Sequence, residues 1–113
     1  MDKTQQLAKI VTEYLEQYAT EMYENDPSEV KTELIFDTVN HHYQLLRYGW
    51  DSGRFVYFFP LHFQVLNKKI WVLRNNTEEL VGDELIKLGS NHSEIVFAFH
   101  NPKVRHLTQF AVG

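Results

Sequence analysis

The chain has 113 residues, 43% of them hydrophobic and 14% aromatic, with a net charge of −4 and no cysteine. That is enough for one domain over residues 1–113 with one apolar core, and it excludes disulfides, thiolate nucleophiles and Cys-ligated zinc. Residues 1–40 carry nine acids against three bases and residues 41–113 carry eight bases against six acids, an acidic first third that argues against direct binding of duplex DNA, which needs clustered Lys and Arg.

Residues 4–24 predict an amphipathic helix. Leu7, Ile10, Val11, Tyr14, Leu15, Tyr18 and Met22 recur at i, i+3, i+4 and i+7, the spacing of one helical face. Asn25-Asp26-Pro27-Ser28 ends it with turn formers. A short strand is expected between Glu29 and Asp37, around Leu34-Ile35-Phe36. His42 to Trp50 predicts a second strand, and Asp51-Ser52-Gly53 a hairpin turn with Gly at a positive φ.

The third strand has the clearest pattern. Phe55, Tyr57, Phe59, Leu61, Phe63 and Val65 alternate with Arg54, Val56, Phe58, Pro60, His62 and Gln64. Period two sets the first group against the core and the second on the opposite face. Pro60 cannot donate to a ladder, so a bulge or an edge is expected there. Asn67-Lys68 predicts another tight turn, and Lys69 to Leu73 a fourth strand.

A second helix is expected to start at Asn76-Thr77-Glu78-Glu79, with Asn76 or Thr77 as its cap and Val81, Leu85 and Leu88 buried. Gly89 is its natural stop. Ile95, Phe97 and Phe99 predict a last strand, which His100-Asn101-Pro102 breaks. The order is α-β-β-β-β-α-β. It implies a two-layer α+β fold, a mainly antiparallel sheet with both amphipathic helices packed on one face.

Reaction chemistry is sparse in the pattern. Adjacent His41 and His42 point to opposite faces of a strand. His42 and His62 lie on neighbouring strands and can approach each other, but no HExxH or HxH spacing completes a metal site. Glu78-Glu79 and Asp83-Glu84 read as a solvated helix face rather than a general acid–base pair. No GxSxG, GxGxxG or Walker-type loop occurs. A small enzyme built on His42, His62 and His100 needs a cleft joining at least two of them. No cofactor or metal is expected.

Binding is the better-supported class. A sheet covered on one side leaves its other face open, and the alternation assigns Arg54, Val56, Phe58, His62 and Gln64 to it. Mixed apolar and polar groups at that density mark a contact surface. Trp50 and Trp71 suit partner hot spots or half-buried sheet positions. Arg54, Lys68, Lys69 and Arg74 form a weak basic patch. Self-association through the open face, or through Tyr14, Tyr18 and Tyr23 of the first helix, fits a homodimer. No basic n-region with an apolar h-region opens the chain, and no apolar run nears the roughly 20 residues that span a bilayer. A cytoplasmic location without membrane contact is expected.

One ordered set of short motifs goes further. Asp37, His42-Tyr43-Gln44-Leu45, Gly49-Trp50, Gly53-Arg54, Leu61-His62, Lys69-Ile70-Trp71, Thr77-Glu78, Leu88-Gly89, Phe99-His100, Arg105 and Phe110-Ala111-Val112 recur at matching spacing over nearly the whole chain. Together they resemble the XisI family, the fdxN element excision controlling factors of cyanobacteria. The resemblance implies a small α+β protein without catalysis of its own. It implies an XisH-like, nuclease-like partner and a role in controlling site-specific excision of a DNA element. An antitoxin-like inhibitor of such a nuclease is the rival binding role. Trp50, Arg54, His62, Trp71, Thr77, Glu78, His100 and Arg105 are the expected partner contacts. The chain departs from the family pattern at Leu73, where Gln is expected, and at Asn75-Asn76, where Asp-Gly is expected. Phe58-Phe59 and Gln64 depart as well, replacing small residues and an Asp.

Overall fold

The computed structural model describes residues 2–113. Helix α1 (Lys3–Tyr23) is followed by β1 (Lys31–Asp37), β2 (His42–Asp51), β3 (Arg54–Leu66) and β4 (Lys69–Asn75), then α2 (Val81–Lys87) and β5 (Ile95–Phe97). The five strands form one sheet in the order β1-β2-β3-β4-β5. The first three pairings are antiparallel, and β4 with β5 is parallel. This is the expected α+β arrangement, with both helices on one face.

Helix α1 starts one residue before its predicted start. Asp2 accepts the Gln5 N–H at 2.8 Å, and the Gln5 side chain accepts the Asp2 N–H at 3.3 Å. This reciprocal box satisfies two donors the helix leaves free. Leu7, Val11, Tyr14, Leu15 and Tyr18 turn inward against Tyr43, Leu45, Leu61, Phe63, Ile70 and Val72 of the sheet. Met22 was expected in that stripe but is 56% exposed, because Tyr23 takes the inner position of the last turn, edge-on to Tyr18.

The two hairpin turns are as expected. Ser52 and Gly53 have φ of 52° and 81°, and Asn67 and Lys68 have φ of 53° and 60°. Successive left-handed residues give the tight turn whose twist matches the flanking strands.

Helix α2 begins at Val81, later than predicted. Asn75 and Thr77 build a separate turn. The Asn75 carboxamide oxygen accepts the Thr77 N–H, the Thr77 hydroxyl accepts the Glu79 N–H, and the Asn75 amide donates to Glu79 O. Short polar side chains compete in this way with helical backbone bonds. Leu80 caps α2 with no side-chain bond. The last strand is shorter than expected. After Phe97 the His100 N–H returns to Phe97 O, closing a turn that leaves Phe99 51% exposed. A 3-10 helix, Pro102–Leu107, then follows, an element that the sequence pattern did not predict.

The C-terminal segment is locked to the core by shape. Phe110 packs edge-on against Phe97 at 4.9 Å and beside α2. A Cβ on Gly82 would lie 2.5 Å from the Phe110 ring, so only Gly lets the helix approach this closely.

Candidate functional site: the open face of the sheet

A bulge decides which side chains the open face carries. Leu45 pairs with Leu61, but Arg47 pairs with Phe58. Two steps on β2 therefore match three on β3, and the extra residue sits at Phe59-Pro60, where the proline foretold an irregularity. A bulge of one residue inverts the alternation beyond it. Leu61, Phe63 and Val65 face the core as expected. Phe55 and Tyr57 do not: they are 53% and 62% exposed, on the open face. Arg54, Val56 and Phe58, expected there, lie on the helix side instead.

The displaced group lines an open cleft of about 600 Å³ beyond the end of α1, shared by Asp26, Arg47, Arg54, Val56 and Phe58. Its floor is Arg47, which is buried and pairs with Asp26. Arg47 also donates to Thr32 Oγ1 at 2.7 Å and Val30 O at 3.3 Å, and its guanidinium lies 4.0 Å from the Tyr23 ring centroid. The Ser28 N–H, then Arg47, hold the Asp26 carboxyl below its ordinary value. These contacts tie the α1–β1 connection to the sheet.

On the open face, Trp50 of β2 and Phe55 of β3 face each other across the hairpin, with ring centroids 5.5 Å apart. Tyr57 stands edge-on to Phe59 at 5.8 Å. Trp50 is 62% exposed. Farther along the same face, His42 Nδ1 and His62 Nε2 lie 2.9 Å apart. Burial first, then the neighbouring His42, pushes the His62 imidazole below its ordinary range. Trp71 of β4 follows, its Nε1–H donating to Leu66 O at 3.2 Å.

The remaining predicted contacts are divided between local structure and solvent. The Arg105 guanidinium donates to His100 O, Val112 O and Ala98 O, each at 3.1 Å, and lies 5.6 Å from the Trp71 ring centroid. It organises the C-terminal segment beside Trp71. His100 packs against Phe97 and Phe99 at 5.5 and 5.0 Å, past β5 and so two strands away from His62 on β3. Thr77 is spent in the Asn75 turn, and Glu78 is exposed beside it. The fold thus brings Trp50, His62 and Trp71 to one face, with Arg105 at its margin. Arg54, Thr77, Glu78 and His100 lie elsewhere. Phe55 and Tyr57 were missed because strict alternation buries them; Pro60 was the signal that could have moved them. Among the described residues, no three His, Asp or Glu side chains converge on a point where a metal ion would sit, and no helix is long and apolar enough to cross a membrane.

A twisted sheet with one helix-covered face, one open aromatic face and a bulged central hairpin defines a small two-layer α+β domain. The chain belongs to the XisI family: the family described as XisI protein matches residues 1–112. It is similar to the crystal structure of the fdxN element excision controlling factor XisI from Anabaena variabilis ATCC 29413, with 30% identity over 99% of this chain and 100% of that one, and a TM-score of 0.84. A XisI-like protein from the same organism matches with 30% identity over 94% of this chain and 95% of that one, and a TM-score of 0.85. No curated protein matches the chain.

Proposed function

We propose that this chain is a non-catalytic accessory protein of the cytoplasm that takes part in controlling site-specific excision of a DNA element, and that it acts by holding an XisH-like protein on the open face of its sheet. One observation supports this reading above the others. Trp50, Phe55 and Tyr57 form a contiguous aromatic row on a face that no helix covers, each more than half exposed. Rings of this size each carry on the order of 200 Å² of surface, so the row amounts to a patch of the size that marks contact sites on monomers. The charged residues of that face are of both signs, Lys31, Glu33 and Asp37 on β1 and Lys69 and Arg74 on β4. That pattern suits a protein surface better than a phosphate backbone.

Co-expression with an XisH-like protein, followed by co-purification and light scattering, tests the reading. A stable complex is expected in which Trp50→Ala and Tyr57→Ala each lower affinity about tenfold or more. If the two proteins elute separately at micromolar concentration, or if the complex is indifferent to both substitutions, this site is the wrong one.

A further inference from the structure

The two edges of the sheet are finished differently. On the β5 side the chain returns, and the Ala111 N–H donates to Ile95 O at 2.8 Å while Ala111 bridges Val96 in parallel. Strand β1 ends the sheet on the other side. It runs seven rungs along β2 without a register shift, from Lys31 opposite Tyr48 to Asp37 opposite His42. It contains no proline. A long regular edge is a template for another strand unless something blunts it.

The ladder fixes which groups of β1 point outward. The Val65 N–H donates to His41 O at 2.9 Å, so odd-numbered residues at that end of β2 bond to β3 and even-numbered ones to β1. Through the register, Lys31, Glu33, Ile35 and Asp37 turn their backbone groups to β2. Thr32, Leu34 and Phe36 direct theirs away from the sheet, since the two sets alternate in an antiparallel pair. The charged side chains that would screen them are drawn back. Glu33 accepts the Tyr48 hydroxyl at 2.8 Å, Lys31 Nζ lies 6.0 Å from the Tyr48 ring centroid, and Asp37 accepts the N–H groups of Val39 and Asn40.

We infer that the β1 edge pairs antiparallel with β1 of a second copy of this chain about a twofold axis at Leu34, joining two sheets into one. Charge selects both the partner and the register. Centred on Leu34, all seven residues pair, Lys31 faces Asp37 of the partner subunit at each end, and Glu33 faces Ile35 of the partner subunit. Centred on Ile35, Glu33 meets Asp37 of the partner subunit twice. Centred on Glu33, that residue meets its own copy. Like charges directly opposite destabilise a strand pair. The strand is therefore self-complementary in one long register, as an isologous contact requires. Ile35 and Phe36, 38% and 37% exposed, gain cover in the pair. The open face stays free, so this contact and the partner contact proposed above fail or succeed separately.

Sedimentation equilibrium of the full chain tests the inference. A mass of twice 13.4 kDa is expected at micromolar concentration. Phe36→Pro removes an outward N–H without touching the bonds to β2. Two ladder bonds are lost per dimer, which weakens association by about tenfold to a hundredfold. Lys31→Glu sets an acid opposite Asp37 of the partner subunit and weakens the dimer most at low salt. Trp50→Ala leaves the mass unchanged. Circular dichroism of each variant confirms that it is folded. A monomer at hundreds of micromolar overturns the inference, as does a dimer that withstands Phe36→Pro and Lys31→Glu or that Trp50→Ala dissociates.

Discussion

His42 and His62 share one hydrogen bond across β2 and β3, Nδ1 to Nε2 at 2.9 Å. One ring must donate and the other accept, so the accepting ring is a neutral imidazole and the two rings cannot both be protonated while the bond is kept. Burial and His42 both hold the His62 imidazole below the usual 6.5. A depressed folded value means that the unfolded chain binds the proton more readily. This contribution to stability is full above pH 6.5 and falls as pH drops through the folded value. Carbon-13 or nitrogen-15 NMR titration should find His62 ionising below 6.5, and His42→Ala should raise the midpoint only partway, because burial remains. A wild-type His62 midpoint at or above 6.5 would contradict the pair.

Gly82 is where the C-terminal segment is most sensitive. A methyl group there meets the Phe110 ring at 2.5 Å and the Phe97 ring at 3.1 Å. Overpacking at such contacts costs about 1–3 kcal/mol. Gly82→Ala should therefore lower the urea midpoint, even though Ala is the better helix former. Adding Phe110→Leu should recover part of the loss. An unchanged midpoint in the single variant would show that the tail gives way freely.

Arg105 is predicted to be irreplaceable by Lys. A planar guanidinium reaches three carbonyls at once, and an ammonium on a flexible stem does not. Arg105→Lys should cost about 1–3 kcal/mol and should speed amide exchange in residues 98–112 before it affects α1. Uniform loss of protection over the whole chain would be the wrong outcome.

Acid and alkali should unfold the protein through different groups. Glu94 pairs with Lys3 at 2.6 Å. Burial alone would raise its carboxyl, but Lys3 and the Asn91 N–H outweigh that and hold it below 4.5. Its contribution is present above pH 4.5 and is lost as pH falls through the depressed value, together with those of Asp26 and Asp37. At the other end, burial raises the hydroxyls of Tyr14 and Tyr18 above 10.0. Their contribution is present below pH 10 and is lost above it. Equilibrium unfolding from pH 2 to 12 should show both limbs, with Glu94→Gln flattening the acid one alone.

Much of the fold was legible because its signals are local. The α1 stripe, the Ser52-Gly53 and Asn67-Lys68 turns, and the Gly89 stop each follow from the period or the chirality of a few residues. The α2 start misled because Asn75 and Thr77 suit a helix cap and an isolated turn equally well, and only the Glu79 carbonyl bound by Asn75 distinguishes them. The open face was half legible. His62, Gln64, Trp50 and Trp71 obey strict alternation, whereas Arg54, Val56 and Phe58 lie beyond the bulge and change sides. His100 and Arg105 were placed by motif resemblance alone, which does not distinguish a contact residue from one that shapes the tail.

The bulge at Phe59-Pro60 has a further consequence. A strand is a two-sided tape, and one surplus residue gives it a half turn. Removing one residue from that step would re-phase the outer half of the hairpin while leaving its composition nearly intact. Arg54, Val56 and Phe58 would then look out where aromatic rings now stand, and Phe55 and Tyr57 would look in. Relatives that differ by a single insertion or deletion here would present unlike faces from almost the same letters. Partner choice within such a set can therefore turn on strand length as much as on side-chain identity.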